Sequence, residues 1–123
     1  MLVLGDSHAK VFHYINHITE SRHFDACSLN AVTASGLANP NSASKGLAVF
    51  RDKLAQAGTT QPAHTAVLIM IGEVDTGYGI WRRSLKYNTT AEEQIQLAVA
   101  TLFTFIAEVR EKYPMLTIAV AGE

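Results

Sequence analysis

Cysteine is scarce in this 123-residue chain, where Cys27 stands alone. One cysteine excludes an intrachain disulfide and any zinc cluster built from thiolates. Neither sign of charge is in excess. Ten basic and eleven acidic residues leave a net charge of −1, which argues against a general nucleic-acid or membrane-surface binder, since both usually carry a basic surplus. No stretch approaches the roughly 18 to 20 apolar residues of a membrane span. The N-terminus has no charged-then-apolar leader with a small-residue cleavage site, so the expectation is a cytoplasmic protein. Internal repeats, linkers and low-complexity tracts are missing too.

What is present is apolar material for one core, at 48% of residues against 17% charged, and residues 1–123 are read as a single domain. Leu2-Val3-Leu4, Ala66 to Ile71 and Leu116 to Val120 are continuous apolar runs, as expected of central parallel strands. Asp25 to Val32 is more polar and reads as an edge strand. Helical spacing links these runs. The stretch from His8 to about His17 carries Val11, Phe12 and Ile15, with Ile18 just beyond, and Ser42 to Ala57 carries Leu47, Phe50 and Leu54, with Gly58 as the stop. Thr90-Ala91-Glu92-Glu93 reads as a capping box opening a helix to Tyr113. Its core face is expected to hold Ile95, Ala98, Val99, Leu102, Phe105, Ile106 and Val109. The alternation predicts an α/β fold with a four-stranded parallel sheet and helices on both faces.

In such sheets a ligand crevice lies beyond the carboxyl ends of the strands. Three segments fall there: Gly5-Asp6-Ser7-His8, Thr33 to Pro40, and Gly72 to Gly79. Their blocks resemble those of the SGNH/GDSL hydrolases, a superfamily of esterases, lipases and carbohydrate deacetylases. The resemblance implies a three-layer flavodoxin-like sandwich with strand order 2-1-3-4. It also implies Ser7 as nucleophile and the Gly36 N–H as oxyanion donor, with Gly72-Glu73-Val74-Asp75 standing where the family has Gly-x-Asn-Asp. Two departures accompany it. Val74 fills the slot of an Asn donor whose loss typically costs ~100- to 1000-fold in rate. The family's Asp-x-x-His block, which follows a further strand, has no counterpart before Ala121-Gly122-Glu123, so the chain reads as a C-terminally truncated member.

Simpler roles compete at each position. Ser7 suits a helix N-cap, and His8 suits a cap or a ligand contact. His13, His17, His23 and His64 read as surface or packing residues, and none is placed to serve as base to Ser7. Asp6, His8, Glu73, Asp75 and Arg82 are the candidate binding residues. Asp75 also suits a tie between loops through backbone N–H groups, and Glu73 with Asp75 lacks the spacing of a metal site, so no metal or cofactor is expected. Arg82 or Arg83 suits a carboxylate or phosphate, and Tyr78 or Trp81 a sugar, against the plainer reading of Trp81 to Lys86 as a solvated loop helix.

Two surfaces point to a homo-oligomer. Leu97, Ala100, Thr101 and Thr104 form an uncharged stripe expected opposite the helix's core face, and Leu116 to Val120 would be an apolar edge strand. Two functions remain open: an acyl hydrolase acting on a small ester or acetylated carbohydrate, and a non-catalytic module that binds a small molecule or forms oligomers.

Overall fold

Leu2, Val3 and Leu4 are fully buried, as a strand needs to be when it lies at the centre of a parallel sheet with both faces covered. A computed structural model describes residues 1–20, 23–60 and 66–121. In it, β1 (Leu2–Gly5) pairs in parallel with β2 (Asp25–Ser28) and β3 (Ala66–Met70), and β3 pairs with β4 (Thr117–Val120). The order is β2-β1-β3-β4, the predicted α/β arrangement. The second strand ends at Ser28, short of the expected Val32, and Ala31 takes a left-handed φ of 58°.

α1 (Val11–Ile18), α2 (Gly46–Thr60), α3 (Ile80–Tyr87) and α4 (Ala91–Lys112) connect the strands. The main core joins Leu2, Leu4, Cys27, Val67 and Ile69 of the sheet to Phe50 and Leu54 of α2 and to Ala98, Phe105 and Val109 of α4. Side chains alternate along a strand, so Val3 belongs to the opposite face. α1 carries no buried residue; it is held to the segment before β2 by Phe12 against Phe24, with ring centres 4.8 Å apart, and by Asn16, whose side-chain amide donates to the Phe24 carbonyl and accepts from the Phe24 N–H.

Several expected boundaries move. Residues 7–10 form a 3₁₀ turn before α1 begins at Val11. α2 begins at Gly46 rather than Ser42, because the segment before it closes polar turns on itself and Lys45 has a φ of 49°. It also runs past Gly58 to Thr60. The capping box of α4 is present, with Thr90 Oγ1 accepting from the Glu93 N–H and the Glu93 carboxylate accepting from the Thr90 N–H.

The buried face of α4 is rotated from the expected one. Gln94, Ala98, Phe105 and Val109 are buried, whereas Ile95 and Val99 are about half exposed, at 46% and 47%. The uncharged stripe is displaced as well. Ala100, Thr101 and Thr104 do not lie opposite the core but line a groove against Leu47 and Arg51 of α2, and Leu97 stays on the surface. β4 is an edge strand, with Val120 exposed. No helix among the described residues is long and apolar enough to cross a membrane.

Candidate functional site

Gly5 turns the chain off β1 where only a hydrogen fits: a Cβ there would stand 2.7 Å from the Met70 carbonyl oxygen and 2.8 Å from the Ala9 Cβ. The Asp6 N–H then donates to that same carbonyl, at 3.1 Å. Asp6 is 1% exposed, and its carboxylate caps the 3₁₀ turn by accepting from the His8 N–H at 2.9 Å. The cap is thus Asp6, not Ser7. Ser7 opens the turn, half-buried, and its Oγ makes no hydrogen bond among the described residues.

His8 Nδ1 lies 3.1 Å from Asp6 Oδ1 and 3.6 Å from Glu73 Oε2, with its ring about half exposed. Asp6, His8 and Glu73 bring three donor atoms within 4.8 Å of one another, a cluster that sequence spacing did not reveal because Glu73 arrives from the third strand. A cation held there would have to displace the hydrogen bond between His8 and Asp6.

At the exit of β2 the Gly36 N–H donates to Thr33 Oγ1 at 2.9 Å. This closes a local turn on the group assigned as oxyanion donor. A Cβ on Gly36 would meet that same hydroxyl at 2.5 Å. At the exit of β3, Gly72 adopts a φ of +133°, a conformation that side chains rarely reach.

Asp75 follows and is 2% exposed. Its carboxylate accepts from the Ala34 N–H at 2.6 Å, the Ser35 N–H at 3.3 Å and the Ser35 hydroxyl at 2.8 Å. Arg83 Nη2 adds a fourth donor at 3.0 Å. The aspartate therefore sews the second strand's exit to the third's. Ser28 Oγ, which donates to the Asp6 carbonyl at 2.9 Å, joins the first exit to the second.

A π-helical turn over Asp75–Gly79 leads into α3 and brings Arg83 back to Asp75. Arg83 Nε also donates to Gln94 Oε1 of α4 at 3.2 Å, and Gln94 Nε2 donates to Thr89 Oγ1 at 2.9 Å. Arg83 and Gln94 are the residues that sequence reasoning missed as a network. No signal in the sequence marked Gln94, which follows Glu92 and Glu93 and precedes Gln96 in the polar first turns of the helix.

Arg82 points elsewhere, its guanidinium carbon 5.8 Å from the centre of the Tyr78 ring. Trp81 is more than half exposed, and its Nε1 donates to the Thr76 carbonyl. On one side of this segment an apolar cavity of about 260 Å³ is lined by Ile71, Ile80, Trp81, Ile95, Val99 and Leu102, among others. On the other, a cavity of about 310 Å³ is lined by cationic and aromatic side chains. Ser7 lines neither cavity, nor the groove between α2 and α4.

The remaining candidates lie apart from this edge or outside it. His13 and His17 are exposed on α1, His23 is exposed just before β2, and His64 lies outside the described residues. Cys27 is buried in β2, and burial pushes its thiol pKa up against the opposing pull of Lys53, leaving it mostly protonated near neutral pH. Comparison of the chain with known protein families, curated proteins and solved structures returns no match.

Proposed function

We propose that this chain carries a serine acyl-hydrolase site of SGNH/GDSL type, acting on a small ester or an acetylated carbohydrate. The observation that supports it is Ser7 itself. It is the first residue of a turn capped by a buried aspartate at the end of a central strand, and its hydroxyl is engaged with nothing among the described residues. Ser7 Oγ would attack the carbonyl carbon and pass its proton to a base. The alcohol would leave with a proton, and water would then release the acid. Among the described residues no imidazole hydrogen-bonds Ser7, so the base comes through a water or from a second chain. The backbone N–H groups of Ser7 and Gly36 are the oxyanion donors in this reading, and the Gly36 N–H would exchange Thr33 Oγ1 for the developing oxyanion. Val74 contributes no donor.

Hydrolysis of p-nitrophenyl acetate by the wild type and by Ser7→Ala, together with labelling by a fluorophosphonate, tests the reading. A rate at least about 100-fold lower in the variant, with labelling confined to Ser7, supports it. Equal rates and no labelling reject it. That outcome leaves a ligand-binding module without catalysis, which two observations favour: the Gly36 N–H is already partnered, and Ser7 lines no cavity of the three.

The same reading includes a cytoplasmic setting and a homo-oligomer. Leu97, Phe103 and Val120 are large apolar side chains left exposed on α4 and β4. The oligomer would cover the α4 face carrying Leu97, Ala100, Thr101 and Thr104, or pair along the β4 edge formed from the Leu116 to Val120 run.

A further inference from the structure

The cavity of about 310 Å³ beside α3 is lined by Arg82, Arg83 and Lys86, with Tyr78, Tyr87 and Thr33 around them. No carboxylate lines it among the described residues. The three cations are held in two ways. Arg83 is fixed from behind, by Nη2 on Asp75 and Nε on Gln94, which leaves Nη1 outside both bonds. Its guanidinium packs where Gly79 has no side chain: a Cβ there would stand 3.0 Å from Nη1. Arg82 and Lys86 rest on tyrosine faces, at 5.8 Å and 5.2 Å from the ring centres of Tyr78 and Tyr87. Neither Arg82 nor Lys86 donates a hydrogen bond to a described residue, so no protein acceptor there competes with an anion for their N–H groups.

We propose that this cavity is a binding site for a phosphate group of a small molecule. Arg83 carries its own counter-charge in Asp75, whereas Arg82 and Lys86 have no ion-pair partner among the described residues and so supply two positive charges. A phosphate monoester carries about −1.5 to −2 charges near pH 7 and matches that sum, whereas a carboxylate matches only half of it. Arginine also presents paired N–H donors that fit phosphate oxygens, and the Thr33 hydroxyl still has a proton to donate after accepting from the Gly36 N–H. The site stands apart from Ser7 and does not depend on serine chemistry.

Calorimetric titration of the wild type with inorganic phosphate, against acetate at matched ionic strength, tests the assignment. The Arg82→Ala/Lys86→Ala variant is titrated alongside. Both residues are exposed and lie outside the bonds of the Asp75 network, and circular dichroism verifies the variant's fold. The expected result is saturable phosphate binding, weakened about tenfold or more in the double variant and about tenfold tighter than acetate. Lys86→Gln, which keeps most of the side chain's length, replaces the double variant if that protein loses its fold, and weaker binding is expected there too. Absence of saturable phosphate binding by the wild type, unchanged affinity in the variant tested, or acetate binding as tight as phosphate overturns the proposal. Each of those results leaves the Ser7 assay free to succeed or fail on its own.

Discussion

At Asp75 one buried carboxylate accepts from two backbone N–H groups, a hydroxyl and a guanidinium. Removing it strands an arginine that is itself only partly exposed, along with two loop N–H groups. Asp75→Ala is expected to cost about 3–5 kcal/mol, the range for breaking a buried ion pair from one side, measured as a shift in urea unfolding. A loss below about 1 kcal/mol would show that the carboxylate is dispensable. The aspartate was legible in the sequence because it stands at a strand exit after a glycine. Its partners were not. Arg83 reaches it only because a π-helical turn intervenes, and no local pattern announces such a turn. The Thr33 hydroxyl that occupies the Gly36 N–H was equally hidden, since which acceptor a turn selects depends on its closed geometry.

Among the elements, α4 shows how far periodicity reaches. Its start was readable, since Thr90 and Glu93 name their own bonds. Its orientation was not, because apolar residues occur nearly all around it and several faces compete for the sheet. Gln94 decides the matter: Arg83 and Thr89 both hydrogen-bond it, and turning it inward leaves Ile95 and Val99 on the surface.

α4 is also joined to α2, by Arg51 Nε on Glu108 Oε2 at 3.0 Å and by a second bond from Arg51 Nη2 to Oε1. Those bonds hold the Glu108 carboxyl below the usual glutamate range. A depressed carboxylate stabilises the folded state above the unfolded pKa, and that contribution is lost as pH falls through the folded one. Both side chains are partly exposed, at 47% and 34%, so screening limits the effect to under about 1 kcal/mol. Comparing the urea midpoints of wild type and Glu108→Gln between pH 7 and pH 3 checks the sign. The wild type's advantage should shrink on acidification, and a constant gap would contradict it.

At the scale of the whole molecule, the alternation of apolar runs with helical spacing was enough to predict a parallel sheet, while its order 2-1-3-4 came only from the resemblance to the SGNH/GDSL hydrolases. The gap between strand and sheet lies at the edges, where burial no longer follows composition. The residues of β4 are mostly exposed despite an apolar sequence. If the α4 face or this edge is covered by a second copy, light scattering at micromolar concentration should return at least twice the chain mass, and Val120→Lys should shift it toward one chain if the edge is the contact. A wild-type monomer would rule out both surfaces. The ties among the three strand exits also bear on motion. The Ala34 and Ser35 amides open a short 3₁₀ turn, where the first N–H groups have no partner within the turn, yet both are bonded to a carboxylate anchored on another strand's exit. Their hydrogen exchange should therefore be slow, with Ala34 close to the rate of the central strand amides, while the amide of exposed Ala43, which has no hydrogen-bond partner among the described residues, exchanges quickly. In Asp75→Ala that protection should vanish at Ala34 before the sheet itself begins to open, which would make the rim of the crevice a separately melting unit.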